Sequence, residues 1–309
     1  MSINNKKHGR RYFYILVSLL PMLSLAACNT TTQVITPETS LVFTPEDSAG
    51  YARGLEAAQR QDFASALKEW KPLADRGHID AQFNLGILYL EQGPIDFIIQ
   101  GERPRRNFAP AIKWFKRAAN QGHLDAQIKL GALYSTRASY RGGIGGGVKD
   151  ALKWYTLAAE QGHVDSQSQL GFMYSSGRFG PQNHKLAVKW HTLAAKQNKA
   201  SAQLHLGRLY EKGRGVAQNY KVAVKWFILS AEQRNPNAQY SLGLMYQNGH
   251  GVQQDNVRAL MWMIVATSSG GFGPASEKGN ALARKMTPIQ MKEAVKLARE
   301  CKNKSYIGC

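Results

Sequence analysis

Acidic residues are scarce in this chain. Only 21 Asp and Glu stand against 40 Lys and Arg over 309 residues, a formal charge of +19. A surface of that sign attracts polyanions, anionic head groups or acidic partners, and the attraction weakens as salt rises. Cysteine is scarcer still. Cys28, Cys301 and Cys309 lie near the two ends, so no disulfide framework runs through the body of the chain. The apolar run from Tyr12 to Leu25 contains Pro21 and is shorter than the roughly 20 residues a membrane-spanning helix needs. His-Glu-x-x-His and Gly-x-Ser-x-Gly are missing, which removes the commonest zinc-hydrolase and serine-hydrolase signatures. The glycines at 142–143 and 145–147 are followed by no Gly-Lys-Ser/Thr and preceded by no strand pattern, so they form no phosphate loop. No Ser-x-x-Lys occurs in a persuasive setting.

The N-terminus has the three-part layout of a secretory signal. Lys6, Lys7, Arg10 and Arg11 precede the apolar run, and Ala26, Ala27 and Cys28 follow it. Leu25-Ala26-Ala27-Cys28 resembles a bacterial lipobox. The resemblance implies cleavage before Cys28 and a diacylglyceryl group on its sulfur; the alternative is ordinary secretion with Cys28 as a spare thiol. Asn29, in place of Asp, is similar to lipoproteins sorted to the outer membrane. Residues 28–45, rich in Thr and lacking helical periodicity, read as a flexible tether. Removing residues 1–27 takes away four basic side chains and no acidic one, so the basic character belongs to what remains.

What is abundant is repetition. Leu-Gly-x-x-Tyr occurs five times, at Leu85, Leu130, Leu170, Leu206 and Leu242. A second phrase interleaves with it and ends on Trp114, Trp154, Trp190, Trp226 and Trp262; Trp70 is shifted by one and aligns with Phe115. Apolar residues around each phrase recur at helical spacing, so every unit reads as two helices. Asp80, Asp125, Asp165, Ser201 and Asn237 are expected to cap the first helix of each unit. Gly77, Gly122 and Gly162 suit the left-handed residue before it; Asn198 serves there too, and Arg234 fits less well. Together with the Gly-x-Gly-Val turns at Gly213 and Gly249, these phrases identify the chain as similar to Sel1-like repeat proteins, relatives of the tetratricopeptide class. The resemblance covers about residues 51–270. It implies an all-α fold, a right-handed α-solenoid of helical hairpins, with a face used for protein contacts.

Four segments are therefore expected: signal peptide over 1–27, lipidated tether over 28–45, repeats over 46–270, and capping helices with a disulfide-closed tail over 271–309. Stacked repeats need atypical ends to shield their exposed core. Residues 46–76 read as a degenerate hairpin, and Ala275–Lys285 and Thr287–Cys301 as closing helices, with Pro288 at the first helical position. Cys301 and Cys309, eight residues apart in a compartment that permits disulfides, are expected to pair; metal binding is the weaker alternative because no histidine lies between them.

Candidates for function lie where the units differ. About nine extra residues separate Tyr89 from Trp114, and about four separate Tyr134 from Trp154. The longer insert holds Phe97, Ile98 and Ile99 beside Arg103, Arg105 and Arg106, a composition that suits either a partner interface or a staple under the loop. On the first helices, Gln82, Gln127, Gln167, Gln203 and Gln239 form a ladder with a structural reading. Their variable neighbours Asn84, Lys129, Gln169, His205 and Ser241, with Arg208, are recognition candidates. Lys113, Lys153, Lys189 and Lys225 precede the tryptophans, either as a basic stripe for an acidic partner, lipid phosphates or anionic glycan or as solvated side chains with stems on the rings. His78, His123 and His163 recur one unit apart, too far to share a metal, and read as turn residues. No cofactor, metal or nucleic-acid partner is indicated. The reading is a non-enzymatic, lipid-anchored scaffold on the outer membrane facing the periplasm, with other envelope proteins as partners. A peptidoglycan- or β-lactam-acting protein and a secreted host-interaction factor are the alternatives. Cysteine-rich members of the family are described as penicillin-binding, but they carry a disulfide in each hairpin, which this chain lacks.

Overall fold

A computed structural model describes residues 43–92, 95–96, 105–106, 108–140, 146–177, 179–270 and 273–309. The helices run in pairs: α1 (Pro45–Gln59) and α2 (Phe63–Asp75), α3 (Ile79–Gln92) and α4 (Ala109–Asn120), α5 (Leu124–Tyr140) and α6 (Gly146–Glu160), α7 (Val164–Ser176) and α8 (His184–Lys196), α9 (Ala200–Lys212) and α10 (Tyr220–Glu232), α11 (Pro236–Asn248) and α12 (Asn256–Ser268). Then come α13 (Gly273–Ala283) and α14 (Pro288–Asn303). Each helix from α1 to α12 packs on the next, and α14 returns onto α12. The fold is an all-α solenoid of hairpins, as the repeat phrases require.

The Leu-Gly-x-x-Tyr glycine is a packing notch. A Cβ on Gly86 would meet the Phe115 ring at 2.5 Å, on Gly131 the Tyr155 ring at 2.7 Å, on Gly207 the Phe227 ring at 2.6 Å, and on Gly243 the Met263 side chain at 3.0 Å. The odd member is Gly171, whose notch is filled by His191 at 2.5 Å. Trp70 fills the equivalent notch over Gly54, which explains its one-residue shift. The preceding tryptophans are buried at 114, 154, 190 and 262, while Trp226 is partly exposed.

The glutamine ladder stitches the hairpins. Each Nε2 donates to a carbonyl at the end of the preceding hairpin: Gln82 to Ala74, Gln127 to Ala119, Gln167 to Ala159, Gln203 to Ala195 and Gln239 to Ala231, at 2.9–3.3 Å. Each Oε1 accepts from a second glutamine at the end of its own hairpin: Gln121 to Gln82, Gln161 to Gln127, Gln197 to Gln167 and Gln233 to Gln203, at 2.7–2.9 Å. One buried amide thus ties three helices and satisfies their ends. The last rung fails. Ser269 stands where the others have Gln, its hydroxyl is too short, and both Gln239 Oε1 and Ser269 Oγ are buried without a partner.

The helix caps depart from expectation. Asp80, Asp125, Asp165, Ser201 and Asn237 lie inside the first turns, and the caps are two residues earlier. His78, His123 and His163 accept from the amides of Ala81, Ala126 and Ser166 through Nδ1 at 3.2–3.3 Å, and Asn235 accepts from Asn237 and Ala238. Lys199 makes no cap bond and pairs instead with Asp165 of the preceding hairpin. The displaced aspartates remain favourable, since a negative charge in the first turn opposes the helix dipole. His123 shows the same link between hairpins, with Nε2 3.5 Å from Asp80 and its ring stacked on Phe83. Positive φ recurs at Gly77, Gly122, Gly162, Asn198 and Arg234. At Arg234 the guanidinium lies 5.3 Å from the Tyr306 ring centroid, a contact that offsets an unfavourable backbone.

At the N-terminal end, Thr44 and Asp47 form a capping box on α1, and Arg76 beside Asp47 holds its carboxyl down at about 2. At the C-terminal end, Thr287 and Gln290 cap α14 around Pro288, Cys301 is bonded to Cys309, and Gly308 N donates to Glu232. The two lengthened turns differ in kind. Much of the second insert extends the helices themselves: α5 and α6 are separated only by 141–145, whereas α7 and α8 are separated by 177–183. The first insert contains a two-residue antiparallel pairing, β1 (Ile95–Asp96) with β2 (Arg105–Arg106).

Candidate functional site

The first helix of each hairpin carries the variable positions proposed for recognition, and the structure uses several of them internally. Asn84 donates to the Tyr51 hydroxyl of the capping hairpin at 2.9 Å. Ser241 is buried and its hydroxyl donates to the Asn237 carbonyl. Lys129 is exposed on α5, and Gln169 is half-buried on α7. Phe97, Ile98 and Arg103 of the first insert lie outside the described residues, while Arg105 and Arg106 form β2.

His205 and Arg208 come together with two residues that sequence reasoning did not select. His205 on α9 stacks on His191 of α8, with ring centroids 5.1 Å apart and planes at 17°. Phe172 on α7 meets His205 at 6.2 Å in a tilted contact. Burial, with the Arg208 charge as a secondary cause, depresses His205 to about 4. His191 is fully buried, neither ring nitrogen has a hydrogen-bond partner, and burial together with His205 depresses it to about 3. Burial also lowers the pKa of Arg208, so its charge is held where water solvates it poorly. Among the described residues no carboxylate lies within ion-pair distance of Arg208. The signal for His191 was present in the sequence: it follows Trp190 where the other units have Phe, Tyr or Met.

This cluster presents a partly desolvated guanidinium, acted on by Glu211 through space, whose charge is felt by His205 where it stacks on His191 and meets Phe172. Arginine and aromatic side chains in partly desolvated positions dominate protein interfaces. The same groups make no catalytic constellation: His191 is sealed from solvent and has no acid or nucleophile within hydrogen-bond reach. Among the described residues there is also no group of three His, Cys, Asp or Glu able to hold a metal, and no helix long and apolar enough to cross a membrane.

The Sel1 repeat pattern matches residues 79–123, 124–163, 164–199, 200–235 and 236–271, one match per hairpin from α3 to α12. The chain belongs to the Sel1 repeat family. Among solved structures it is similar to a protective antigen present in uropathogenic Escherichia coli strains, at 31% identity and TM-score 0.60, over 78% of this chain and 50% of that one. The chain therefore spans half the length of that relative. A Sel1 repeat protein from Oxalobacter formigenes matches at 28% identity and TM-score 0.53, over 72% of this chain and 83% of that one. A comparison with curated proteins gave no match. Sel1 repeat proteins generally mediate protein–protein interactions and are generally non-catalytic scaffolds, so a protein is the class of partner that fits this fold.

Proposed function

We propose that this Sel1 repeat chain is a lipid-anchored scaffold of the bacterial envelope, held by Cys28 at the outer membrane, facing the periplasm and docking another envelope protein on the first-helix face around Arg208. The observation that carries the docking face is a poorly solvated Arg208 with no carboxylate among the described residues within ion-pair distance, Glu211 acting on it only through space, next to a His205 that feels its charge and meets Phe172 of α7. An acidic group from a partner would complete it, since a charge-assisted bond gains strength where water is excluded. Lys129, exposed on α5, extends the same recognition positions, and the first insert with Phe97, Ile98, Arg103, Arg105 and Arg106 is a second candidate contact. The anchor rests on the lipobox-like Leu25–Cys28 segment.

A photo-crosslinking amino acid at position 172, in cells that express the full chain, tests the face. A discrete adduct that disappears with Arg208→Ala, while the same probe at position 292 on α14 gives none, supports it. Adducts indifferent to Arg208 refute it. The anchor is tested separately by Cys28→Ser, which should move the protein from the membrane to the soluble fraction. A stable adduct with labelled acyl-penicillin, abolished by a Ser→Ala substitution, would overturn the scaffold reading. A second reading is surface exposure with host contact, favoured by the likeness to a protective antigen. Proteolysis of intact cells distinguishes it, because only a surface-exposed chain is cut.

A further inference from the structure

The second helices of three consecutive hairpins carry a pattern that packing does not require. On α6, α8 and α10 the same face presents Lys149-Lys153-Leu157, Lys185-Lys189-Leu193 and Lys221-Lys225-Leu229. Residues four apart share one helix face. Equivalent positions in successive hairpins line up, so the chain displays two rows of lysine and, beside them, Leu193 and Leu229; Leu157, the third member of the leucine row, is partly buried against the core. All six lysines are exposed, and among the described residues none lies within ion-pair distance of a carboxylate. Leu193 is 38% and Leu229 42% exposed, although neither position needs an apolar side chain for the core. The second lysine row is ordered by the core beneath it: Lys153 Nζ lies 4.5 Å from the Trp154 ring centroid and Lys189 Nζ 4.9 Å from that of Trp190.

The adjacent hairpin shows what this face is good for. On α12 the second and third rows become Met261 and Val265, and both are buried, on the helix that α14 packs against. Where the rows are apolar, the chain buries them itself. Where they are lysine and leucine, the face is left open.

We infer that this face of α6, α8 and α10 docks on a membrane surface bearing anionic lipid head groups. The mixed composition decides between polyanions. Lysines flanking exposed leucines are the make-up of interfacial segments, in which cations meet head-group phosphates and aliphatic groups enter the acyl boundary. A folded acidic partner or a nucleic acid would favour arginine, which holds carboxylate and phosphate in a fixed bidentate geometry, or aromatic rings for base stacking. All six cations here are lysines, point charges that suit a fluid layer of phosphates. The inference goes beyond the scaffold reading and needs neither the N-terminal anchor nor the Arg208 face.

The test is lysine acetylation of the full chain, read site by site by mass spectrometry. Vesicles of phosphatidylcholine containing phosphatidylglycerol are compared with vesicles of phosphatidylcholine alone. The six lysines should label about fivefold more slowly on the anionic vesicles, the change that ~1 kcal/mol per lysine gives. Lys292 and Lys296 on α14 should label equally on both. Leu193→Gln with Leu229→Gln should reduce the protection at least by about half, because the leucine row supplies the lipid-specific part. Equal labelling of the six lysines on the two vesicles overturns the inference. So does protection by soluble heparin equal to that by anionic vesicles, with the leucine substitutions without effect on either, since the rows would then serve a soluble polyanion.

Discussion

His191→Phe should make the protein more stable and less sensitive to acid. His191 fills the notch over Gly171 that Phe115 and Phe227 fill over Gly86 and Gly207, so a phenyl ring has two precedents in the same frame. In the folded state the imidazole is neutral, fully buried, unbonded at both nitrogens and depressed to about 3. Its ordinary value is about 6.5. The folded pKa lies below the unfolded one, so the unfolded chain binds the extra proton. Stability is therefore intact above about pH 6.5 and is lost as pH falls from there towards the folded value of about 3. At pH 5 the linkage cost from this one group is about 2 kcal/mol. His205, depressed to about 4, adds up to a similar amount, shared because the rings are stacked. Removing the two unbonded nitrogens should also stabilise at neutral pH by about 1–3 kcal/mol. Urea denaturation at pH 7.5 and pH 5, at fixed ionic strength, reads both effects. The variant should lose roughly 2 kcal/mol less than the parent across that interval. Equal losses in the two proteins would show that His191 is either solvated or not neutral, and would refute the reasoning.

Three further perturbations test the packing. Gly207→Ala places a Cβ 2.6 Å from the Phe227 ring and should destabilise by about 1–3 kcal/mol in the same denaturation assay; a neutral result would mean that the notch is slack. Ser269→Gln should supply the missing rung to Gln239 Oε1 and add about 1 kcal/mol, with slower amide exchange at the end of α12. Trp190→Ala removes a side chain only 5% exposed and should cost about 3–5 kcal/mol, measured by the shift in denaturation midpoint.

The fold was legible because it is written five times. One Leu-Gly-x-x-Tyr phrase is weak evidence, but five in register with five tryptophans leave few architectures, and the hairpins lie where the phrases place them. The caps were misplaced because Asp is a better N-cap than His in general. Here the chain leaves each preceding helix through a left-handed residue, which sets the cap immediately after it, at His78, His123 and His163. The second insert was read as a longer turn because glycines break helices in isolation. The contact of α5 with α6 carries both helices further than the glycines suggest.

The site was less legible, for a reason inherent in repeats. A position that varies between units can vary because a partner reads it or because a local neighbour does. Asn84 serves Tyr51 and Ser241 serves its own helix, so variability alone overstated recognition at both. The informative departures are those that leave chemistry uncompensated. A phenylalanine position that holds an unbonded imidazole, a half-buried arginine with no carboxylate among the described residues within ion-pair distance, and lysine rows that stop where a helix covers them are none of them required by the fold. In a frame whose glutamine ladder is satisfied in four of its five rungs, such departures mark where selection has acted on something other than folding.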